Sequence, residues 1–242
     1  MKSRIALSIM IVCMFSLCMG QTTVSTTKPL ILDVGTTRTF EFSSDGIPIG
    51  YNTYTVTKRG VYNDKDAYFI ESTVELQDEI TDLHMDASYI VDVQGACLHY
   101  EFDATVNGET HTMNADFTVD SVHITGSRPG TEYDEIISIG VQTFSLDNNL
   151  IGQWDIAFSS VVLEKGGVFA VNIFGAQHMK ASNVRADIDK ELIAIQAAGK
   201  SWECLKLEFK SPAGYTMYVT ESGQLVKMEN GLGLEVTLKG QS

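Results

Sequence analysis

Alternation of apolar and polar residues runs through most of this chain and restricts its fold more than any other feature of the sequence. Apolar side chains occupy every second position in many segments from Leu30 to the C-terminus, and the clearest of these are 68–76, 89–93, 215–219 and 234–238. A period of two is typical of a β-strand that buries one face and exposes the other. The sequence therefore predicts about a dozen such strands.

Turn residues separate these segments. Asn107-Gly108, Ser222-Gly223 and Asn230-Gly231 are examples, and such pairs are common in the tight turns that join antiparallel strands. No linker divides the chain, and a single β domain of this length is ordinary. We therefore expect one all-β domain over residues 29–242, built on an antiparallel sheet that forms a half-barrel or a sandwich.

One segment breaks the alternation. Ile151, Trp154, Phe158 and Val161 follow helical spacing. The possible capping residues Asp147-Asn148-Asn149 precede them, and Lys165-Gly166-Gly167 follows. The spacing predicts one short amphipathic helix at about 148–164, whose apolar stripe covers the concave face of the sheet.

Residues 1–20 have the three parts of a secretory signal peptide. Lys2 and Arg4 precede an apolar run over residues 5–14, and small residues lead up to a cleavage site after Gly20. The apolar run is too short to span a bilayer. We therefore expect this segment to be removed on export.

The signal peptide sets the expected compartment. The Thr-rich residues 21–28 that follow it are expected to be a flexible lead-in. The mature protein is expected to be periplasmic or secreted, without a transmembrane segment. Lipidation of Cys18 is an alternative, although Leu17 is not the small residue that this processing needs before the cysteine.

The mature chain is predicted to be strongly acidic. The full chain has 17 Lys and Arg against 31 Asp and Glu, a formal net charge of −14. Loss of Lys2 and Arg4 with the signal brings this charge to about −16. Such a surface repels phosphate backbones and anionic lipid headgroups. We therefore expect no nucleic-acid partner and no electrostatic docking on a membrane.

Two cysteines, Cys97 and Cys204, remain after the signal peptide. Two thiols in an exported protein favour one disulfide. The alternation in 98–106 and 204–209 places both sulfurs on the polar faces of their strands, where they can meet only if the two strands are neighbours. The sequence therefore allows two alternatives, a Cys97–Cys204 disulfide or two unpaired thiols.

The sequence carries no recognisable catalytic or metal-binding motif. It lacks the G-x-S-x-G, H-E-x-x-H, P-loop and G-x-G-x-x-G patterns. Its five histidines are not spaced as zinc ligands are. We therefore assign no catalytic residue, no metal ligand and no cofactor, and the sequence favours a protein that is not an enzyme.

The order of elements resembles a known group of proteins. The chain combines an export signal, antiparallel strands, a central helix with Trp154, and a closing hairpin over 216–228 with the sequence TMYVTESGQLVKM. This organisation is similar to the strongly curved half-barrels of the bacterial lipoprotein carriers LolA and LolB and of related periplasmic families. In those carriers a concave apolar face, capped by helices, holds acyl chains. The resemblance therefore implies a hydrophobic ligand site or a protein-docking face on the concave side of the sheet.

Trp154 and Phe158 on the predicted helix are the candidates for ligand contacts. Their facing partners on the strands would be Tyr100, Phe102 and Phe174. These side chains either fill the core between helix and sheet or line a site for a hydrophobic ligand. Burial of each contributes roughly 2–3 kcal/mol in both cases.

These observations predict an exported, non-enzymatic binding protein. Its concave, helix-covered face would hold a hydrophobic small molecule or dock an envelope protein. The first alternative is a structural or envelope-assembly module that has no small ligand and pairs through exposed strand edges. The second alternative is a hydrolase with an unrecognised site.

Overall fold

The computed structural model describes residues 24–147, 149–210 and 214–242. This part of the chain contains fifteen β-strands, one α-helix and one 3₁₀ turn. In chain order they are β1 Thr37–Ser44, β2 Ile47–Tyr62, β3 Lys65–Gln77, β4 Asp82–Asp92, β5 Cys97–Val106, β6 Glu109–Phe117, β7 Ser121–Arg128, β8 Thr131–Ser138, β9 Thr143–Ser145, α1 Ile151–Ser159, β10 Val168–Gly175, the 3₁₀ turn Ala176–His178, β11 Lys180–Ala197, β12 Lys200–Phe209, β13 Tyr215–Val219, β14 Leu225–Asn230 and β15 Leu234–Gln241.

The fifteen strands form one sheet, in the order β8-β7-β6-β5-β4-β3-β2-β1-β15-β14-β13-β12-β11-β10-β9. Strands β1 to β8 form a meander in sequence order. The last strand, β15, pairs with β1 on the side away from β2. Beyond β15 the sheet continues through β14, β13 and so on to β9, in reverse sequence order. Neighbouring strands are antiparallel apart from β9 and β10, which are parallel.

Strong curvature brings distant parts of this sheet together. Strand β9 lies against β5, and β8 lies against β11, although these strands are far apart in the strand order. The sheet stays open, with β8 and β9 as its edges, and its inner face encloses one main core cluster drawn from both halves. The predicted all-β class, with an antiparallel curved sheet and one short helix, is confirmed.

The strand count exceeds the expected dozen because some strands carry little hydrophobic alternation. In β8 only Tyr133 and Ile137 are partly buried, and the other residues are exposed. A strand of three residues, such as β9, is too short to show a period. Such strands form because they pair with neighbouring strands, and this pairing cannot be predicted from the local sequence.

A β-bulge changes the predicted orientation of Cys97. In the pairing of β4 with β5, Ile90 is opposite His99 but Val91 is opposite Cys97, so Leu98 is an extra residue. Leu98 therefore lies on the outer face, in a small apolar cluster with Ile90, while Cys97 lies in the main core and is 4% exposed. The prediction that Cys97 is on a polar face was wrong, because a bulge interrupts the period of two.

Cys204 is also buried, against its predicted position on a polar face. It is 0% exposed, and the next residue, Leu205, is 0% exposed too, so β12 is covered on both faces at this point. Both thiols are free. Strands β5 and β12 are not neighbours in the sheet. The structure therefore contains two unpaired thiols and no disulfide between Cys97 and Cys204.

The helix lies inside the curve of the sheet and is buried on all sides. Every residue from Ile151 to Phe158 is buried, including the polar Gln153 and Asp155. The helix contacts β2, β9 and β14, which belong to both halves of the sheet. The residues of the predicted stripe in the helix, Ile151, Trp154 and Phe158, are buried as expected. The helix is not amphipathic, however, because strands enclose it and leave it no solvent face.

The helix is also shorter than the predicted 148–164. Its N-cap is Leu150, which makes no side-chain capping hydrogen bond. The Asp147 carboxylate does not cap the helix but accepts a hydrogen bond from the backbone N–H of Gln177 at 3.1 Å; Asn148 lies outside the described residues. At the other end the helix stops at Ser159, because Val161 already pairs with Thr27 in an isolated β-bridge.

The chain before β1 is tied to both halves of the sheet. The predicted signal peptide, residues 1–20, and residues 21–23 of the predicted lead-in lie outside the described residues. The backbone N–H of Ser25 donates to Ala170 O at 2.7 Å, and that of Leu30 donates to Val93 O at 2.7 Å. No helix of the described ranges has the length and hydrophobicity needed to cross a membrane.

Candidate ligand-binding site

The aromatic residues predicted to line a ligand site lie in the core. Trp154 and Phe158 belong to α1, Tyr100 and Phe102 to β5, and Phe174 to β10. Their exposed fractions range from 0% for Tyr100, Phe158 and Phe174 to 8% for Trp154. Each of these side chains is thus covered by its protein neighbours.

Trp154 and Phe158 are part of a four-ring cluster that joins the helix to the sheet. The ring centroids of Trp154 and Phe158 are 5.9 Å apart, and Trp154 meets Phe209 edge-on at 5.6 Å. Phe158 lies 4.8 Å from Phe169, which in turn lies 6.0 Å from Phe209. The cluster connects α1 to β10 and β12.

The predicted strand partners make other contacts. Tyr100 and Phe102 contact each other at 5.8 Å, and Phe174 packs edge-on against Phe117 at 5.8 Å. Within the described ranges, none of the ring contacts joins these strand residues to Trp154 or Phe158.

Sequence reasoning missed Phe169 and Phe209 as the partners of the helix. Alternation places both on the buried faces of their strands, where they are 0% and 9% exposed. Only the curvature of the sheet turns those faces toward α1, and no local pattern reports that curvature.

A cavity of about 380 Å³ opens at one end of the curved sheet. We call it the end cavity. Its walls come from the segment 28–36, from β1 and β2, from the last turn of α1 and from the turn before β14; its floor is formed by Arg38, Tyr54 and Asp155, and its rim includes Lys28, Leu32 and Gln224. This volume falls within the range of about 300–1,000 Å³ that is usual for small-molecule sites.

A buried ion pair forms the floor of the end cavity. The Arg38 guanidinium donates to the Asp155 carboxylate, and both side chains are 3% exposed. Tyr54 Oη donates to Asp155 Oδ2 at 2.5 Å. Arg38 Nη2 donates to Leu225 O at 2.9 Å, and the Leu225 N–H donates to Asp155 Oδ1 at 2.6 Å. The network therefore fixes α1 to β1, β2 and β14.

The environment of this ion pair sets its protonation. Burial would lower the pKa of Arg38, but the neighbouring Asp155 and Tyr54 outweigh burial and raise it. Burial, together with the charge of Asp155, raises the pKa of Tyr54 well above its ordinary value. Arg38 therefore stays charged and Tyr54 stays protonated at neutral pH, and Tyr54 acts as a hydrogen-bond donor.

The rim of the end cavity combines apolar and polar groups. Ile31 is 82% exposed, and Pro29 and the partly buried Leu32 add apolar surface beside it. Lys28 Nζ donates to Ser222 O at 3.2 Å, and burial lowers the pKa of this lysine. The cavity can thus receive a molecule with an apolar part and a polar end.

A larger but open trough of about 590 Å³ lies on the outer face of β3 to β7. Its exposed acids include Glu71, Asp86, Glu101 and Asp103. Two of them accept hydrogen bonds from neighbouring strands: Thr73 donates to Asp86 at 3.0 Å and Ser88 donates to Glu101 at 2.9 Å. Within the described ranges, no group of three or more His, Cys, Asp or Glu side chains is arranged to hold a metal ion.

A second buried acid lies deeper in the core. Asp147 is 2% exposed, and burial raises its pKa to about 6, although the N–H of Gln177 and the Tyr100 hydroxyl oppose that shift. Among the residues that the structure describes, Asp147 Oδ2 and the hydroxyls of Tyr89 and Tyr100 are buried without a hydrogen bond of good geometry. Tyr89 also lines a cavity of about 10 Å³, which is too small for an organic ligand.

Comparisons with known proteins agree with the fold. The model of a family described as "Protein of unknown function (DUF3108)" matches residues 37–236. No curated protein matches the chain. A β-barrel-like protein of the domain of unknown function DUF1849 from Brucella abortus is similar in structure, with a TM-score of 0.50, 9% identity, and coverage of 91% of this chain and 98% of that one. At this identity the similarity shows a shared fold.

Two further solved structures are more distant. A DUF1089 family protein from Pseudomonas aeruginosa has a TM-score of 0.41 at 9% identity, over 72% of this chain and 89% of that one. A protein with a YmcC-like fold from Bacteroides fragilis has a TM-score of 0.31 at 8% identity, over 90% of this chain and 99% of that one.

Proposed function

This chain belongs to the DUF3108 family, whose model matches it from β1 into the start of β15, and we propose that it is an exported, non-enzymatic binding protein. Its ligand is a hydrophobic small molecule with a polar end, held in the end cavity. Export rests on the signal peptide predicted over residues 1–20, and the mature protein then acts in the periplasm or outside the cell.

The end cavity is the observation that carries this proposal. Its apolar lining residues Pro29, Ile31 and Leu32 suit a hydrocarbon group, and its floor of Arg38 and Asp155 is a fixed polar surface. Most of the other lining residues are polar or charged, so the cavity suits a ligand with a substantial polar part. A hydrocarbon that moves from water onto the apolar residues gains roughly 25 cal/mol per Å² of buried apolar area.

The proposed ligand belongs to the hydrophobic class implied by the resemblance to LolA and LolB, but its proposed binding site is different. In those carriers the concave face of the sheet holds the acyl chain. Here α1 and the Trp154–Phe158–Phe169–Phe209 cluster occupy the concave face. The end cavity, beside the last turn of α1, therefore takes the role of the site.

Native mass spectrometry of the mature protein from the exported fraction tests this function. We expect a bound mass on the order of a few hundred daltons, released by solvent extraction and identified in the extract. The Leu32→Trp variant narrows the rim of the end cavity and should lower the occupied fraction severalfold. Val61→Trp is the matched control, because Val61 is 71% exposed and belongs to β2 away from the cavity lining.

Three results would contradict the proposal. The first is a wild-type protein that carries no bound mass and takes up nothing from a total lipid extract of the host. The second is equal occupancy in Leu32→Trp and wild type. The third is an equal loss in both tryptophan variants, since that would reflect damage to the fold and not a filled cavity.

Docking of an envelope protein is the second candidate function, and one observation favours it. Within the described ranges, strand β8 is hydrogen-bonded to one neighbouring strand, β7, and its Ile136 is 75% exposed. Against it stand the acids Glu132, Asp134 and Glu135 on the same strand, since charged residues on an edge discourage strand addition. Crosslinking in intact cells, with Ile136→Lys as the variant, tests it: a partner lost in this variant would support docking through β8.

A further inference from the structure

Lys28 is a partly buried cation at the rim of the end cavity. Within the described ranges its Nζ has one polar partner, the neutral carbonyl oxygen of Ser222 at 3.2 Å, and it forms no ion pair. An ammonium group can donate three hydrogen bonds. Two donors of Lys28 are therefore free to serve a ligand.

Among the partly buried lysines that the structure describes, Lys28 differs from the others because it has no acidic partner. Acidic residues outnumber basic ones, 31 to 17, and other lysines at partly buried positions have acids beside them: Lys206 pairs with Glu208, and Lys227 pairs with Glu229 and Glu235. Partial burial of a charge is unfavourable unless an opposite charge or hydrogen bonds compensate it. The lowered pKa of Lys28 has this cause.

Two acids lie near this lysine in the lining of the end cavity. Asp155 belongs to the floor, where Arg38, Tyr54 and the Leu225 N–H already bind its carboxylate. Asp33 is exposed on the rim and forms no ion pair with Lys28. Neither acid therefore neutralises the ammonium group.

We infer that the ligand of the end cavity is an amphiphile with one anionic head, which binds Lys28, and a hydrocarbon chain, which lies against Pro29, Ile31 and Leu32. The inference rests on the proposed function and adds the chemical class of the ligand. Both an alkyl carboxylate and an alkyl phosphate have this chemistry.

The size of the cavity limits the length of the chain. A water molecule in the liquid occupies about 30 Å³, and a methylene group is of similar size, so a cavity of about 380 Å³ holds about a dozen such groups. Decanoate and decyl phosphate are therefore suitable probes, and 1-decanol is the uncharged control with the same hydrocarbon chain.

Calorimetric titration of the delipidated mature protein at pH 7 tests the inference. For wild type we expect decanoate or decyl phosphate to bind about two- to fivefold more tightly than 1-decanol, because a partly exposed ion pair contributes at this level. In Lys28→Met this preference should disappear while decanol binding stays the same. The matched control is Lys65→Met, since Lys65 is an exposed cation in the β2–β3 hairpin, remote from the end cavity.

The possible results of this titration test the anionic head group separately from the proposed binding function. Preference for only one of the two anions would still support the inference and would name the head group. Equal binding of decanol and both anions to wild type, or an unchanged preference in Lys28→Met, would overturn the anionic head while the proposed function stands. Failure of decanol and of both anions to bind would overturn both proposals.

Discussion

At the scale of single residues, the polar groups buried with α1 are the most unusual feature of this core. Arg38, Asp155 and Asp147 are each 2% exposed. Such groups are tolerated only when partners compensate for the lost water. Asp155 has a full set of partners, whereas Asp147 keeps one oxygen without a hydrogen bond of good geometry. The two acids should therefore respond differently to mutation.

Asp147→Asn should stabilise the protein at alkaline pH. Burial raises the pKa of Asp147 to about 6 in the fold, above its ordinary value of 3.8, so the native state holds this proton more tightly than the unfolded chain does. Stability from this group is therefore complete below about pH 4 and is lost as pH rises through about 6. Asparagine carries no charge and can still accept the Gln177 N–H through its amide oxygen.

Urea unfolding at pH 5 and pH 8 checks this prediction. We expect Asp147→Asn to exceed wild type by about 1–3 kcal/mol at pH 8 and by about half as much at pH 5, which lies midway between the two pKa values. Asp64→Asn, a substitution in an exposed turn, should show no such dependence on pH. A variant that is less stable than wild type at pH 8 would contradict the assigned cause.

Arg38→Met should be strongly destabilising, because it leaves the Asp155 carboxylate buried without its cation. We expect a loss of about 3–5 kcal/mol in the free energy of unfolding. The double variant Arg38→Met/Asp155→Asn should lose less than the sum of the two single variants, since removal of the charge removes part of the penalty. Urea denaturation of all four proteins measures this coupling, and strictly additive losses would show that the pair does not interact.

At the scale of elements, the local sequence pattern predicted that α1 is a helix but did not predict its length or its surroundings. Helical spacing of Trp154 and Phe158 correctly indicated a helix. Its length and its amphipathic character were wrong because both are set by what surrounds the helix: strands enclose it, and Val161 is drawn into a bridge with Thr27.

Gly152→Ala should destabilise the protein, although alanine normally favours a helix over glycine by about 1 kcal/mol. A Cβ at this position would lie 2.5 Å from Tyr54 Cδ1 and 2.8 Å from Tyr89 Oη, and both rings are buried. The helix would have to move away from β2, or the rings would have to shift. We expect a loss of about 1–3 kcal/mol from overpacking.

Thermal unfolding of Gly152→Ala against Gly240→Ala separates crowding from a general effect of replacing glycine. A Cβ at Gly240 would meet no atom within 4 Å. Gly240→Ala should therefore leave the midpoint almost unchanged, while Gly152→Ala lowers it by several degrees. Equal midpoints for the two variants would mean that α1 is packed less tightly than its contacts indicate.

At the scale of the whole molecule, the pairing of β1 with β15 makes two runs of strands into one sheet. The first run contains Cys97, and the second contains Cys204. Helix α1 and the segment before β1 make contacts in both runs. The two halves therefore share one core, and we expect them to unfold together.

The two buried thiols report on this cooperativity. Burial raises the pKa of Cys97 well above its ordinary value and that of Cys204 to about 11, so both should resist thiol reagents in the folded protein. In increasing urea, both should become reactive at the same midpoint, as measured by mass spectrometry of labelled peptides. Two separate midpoints would show that the halves unfold independently.

Sequence patterns determined the class of fold and the presence of the helix, because alternation and helical spacing are local consequences of burying one face of an element. They also indicated the buried aromatic residues. They did not indicate the end cavity, whose parts come from segments as far apart as Lys28, Arg38, Asp155 and Gln224. Nor did they show that Cys97 faces the core, since the bulge at Leu98 depends on the pairing of β5 with β4.

By itself, then, the sequence determined which faces of the strands are apolar and where the chain turns, since each depends on residues only a few positions apart. Tertiary structure decided the direction in which the sheet curves, what fills it and which polar groups meet at its open end. These outcomes depend on contacts between residues distant in sequence, such as Arg38 with Asp155 and Trp154 with Phe209. They exist only when one continuous sheet wraps around the helix and closes the core from both sides.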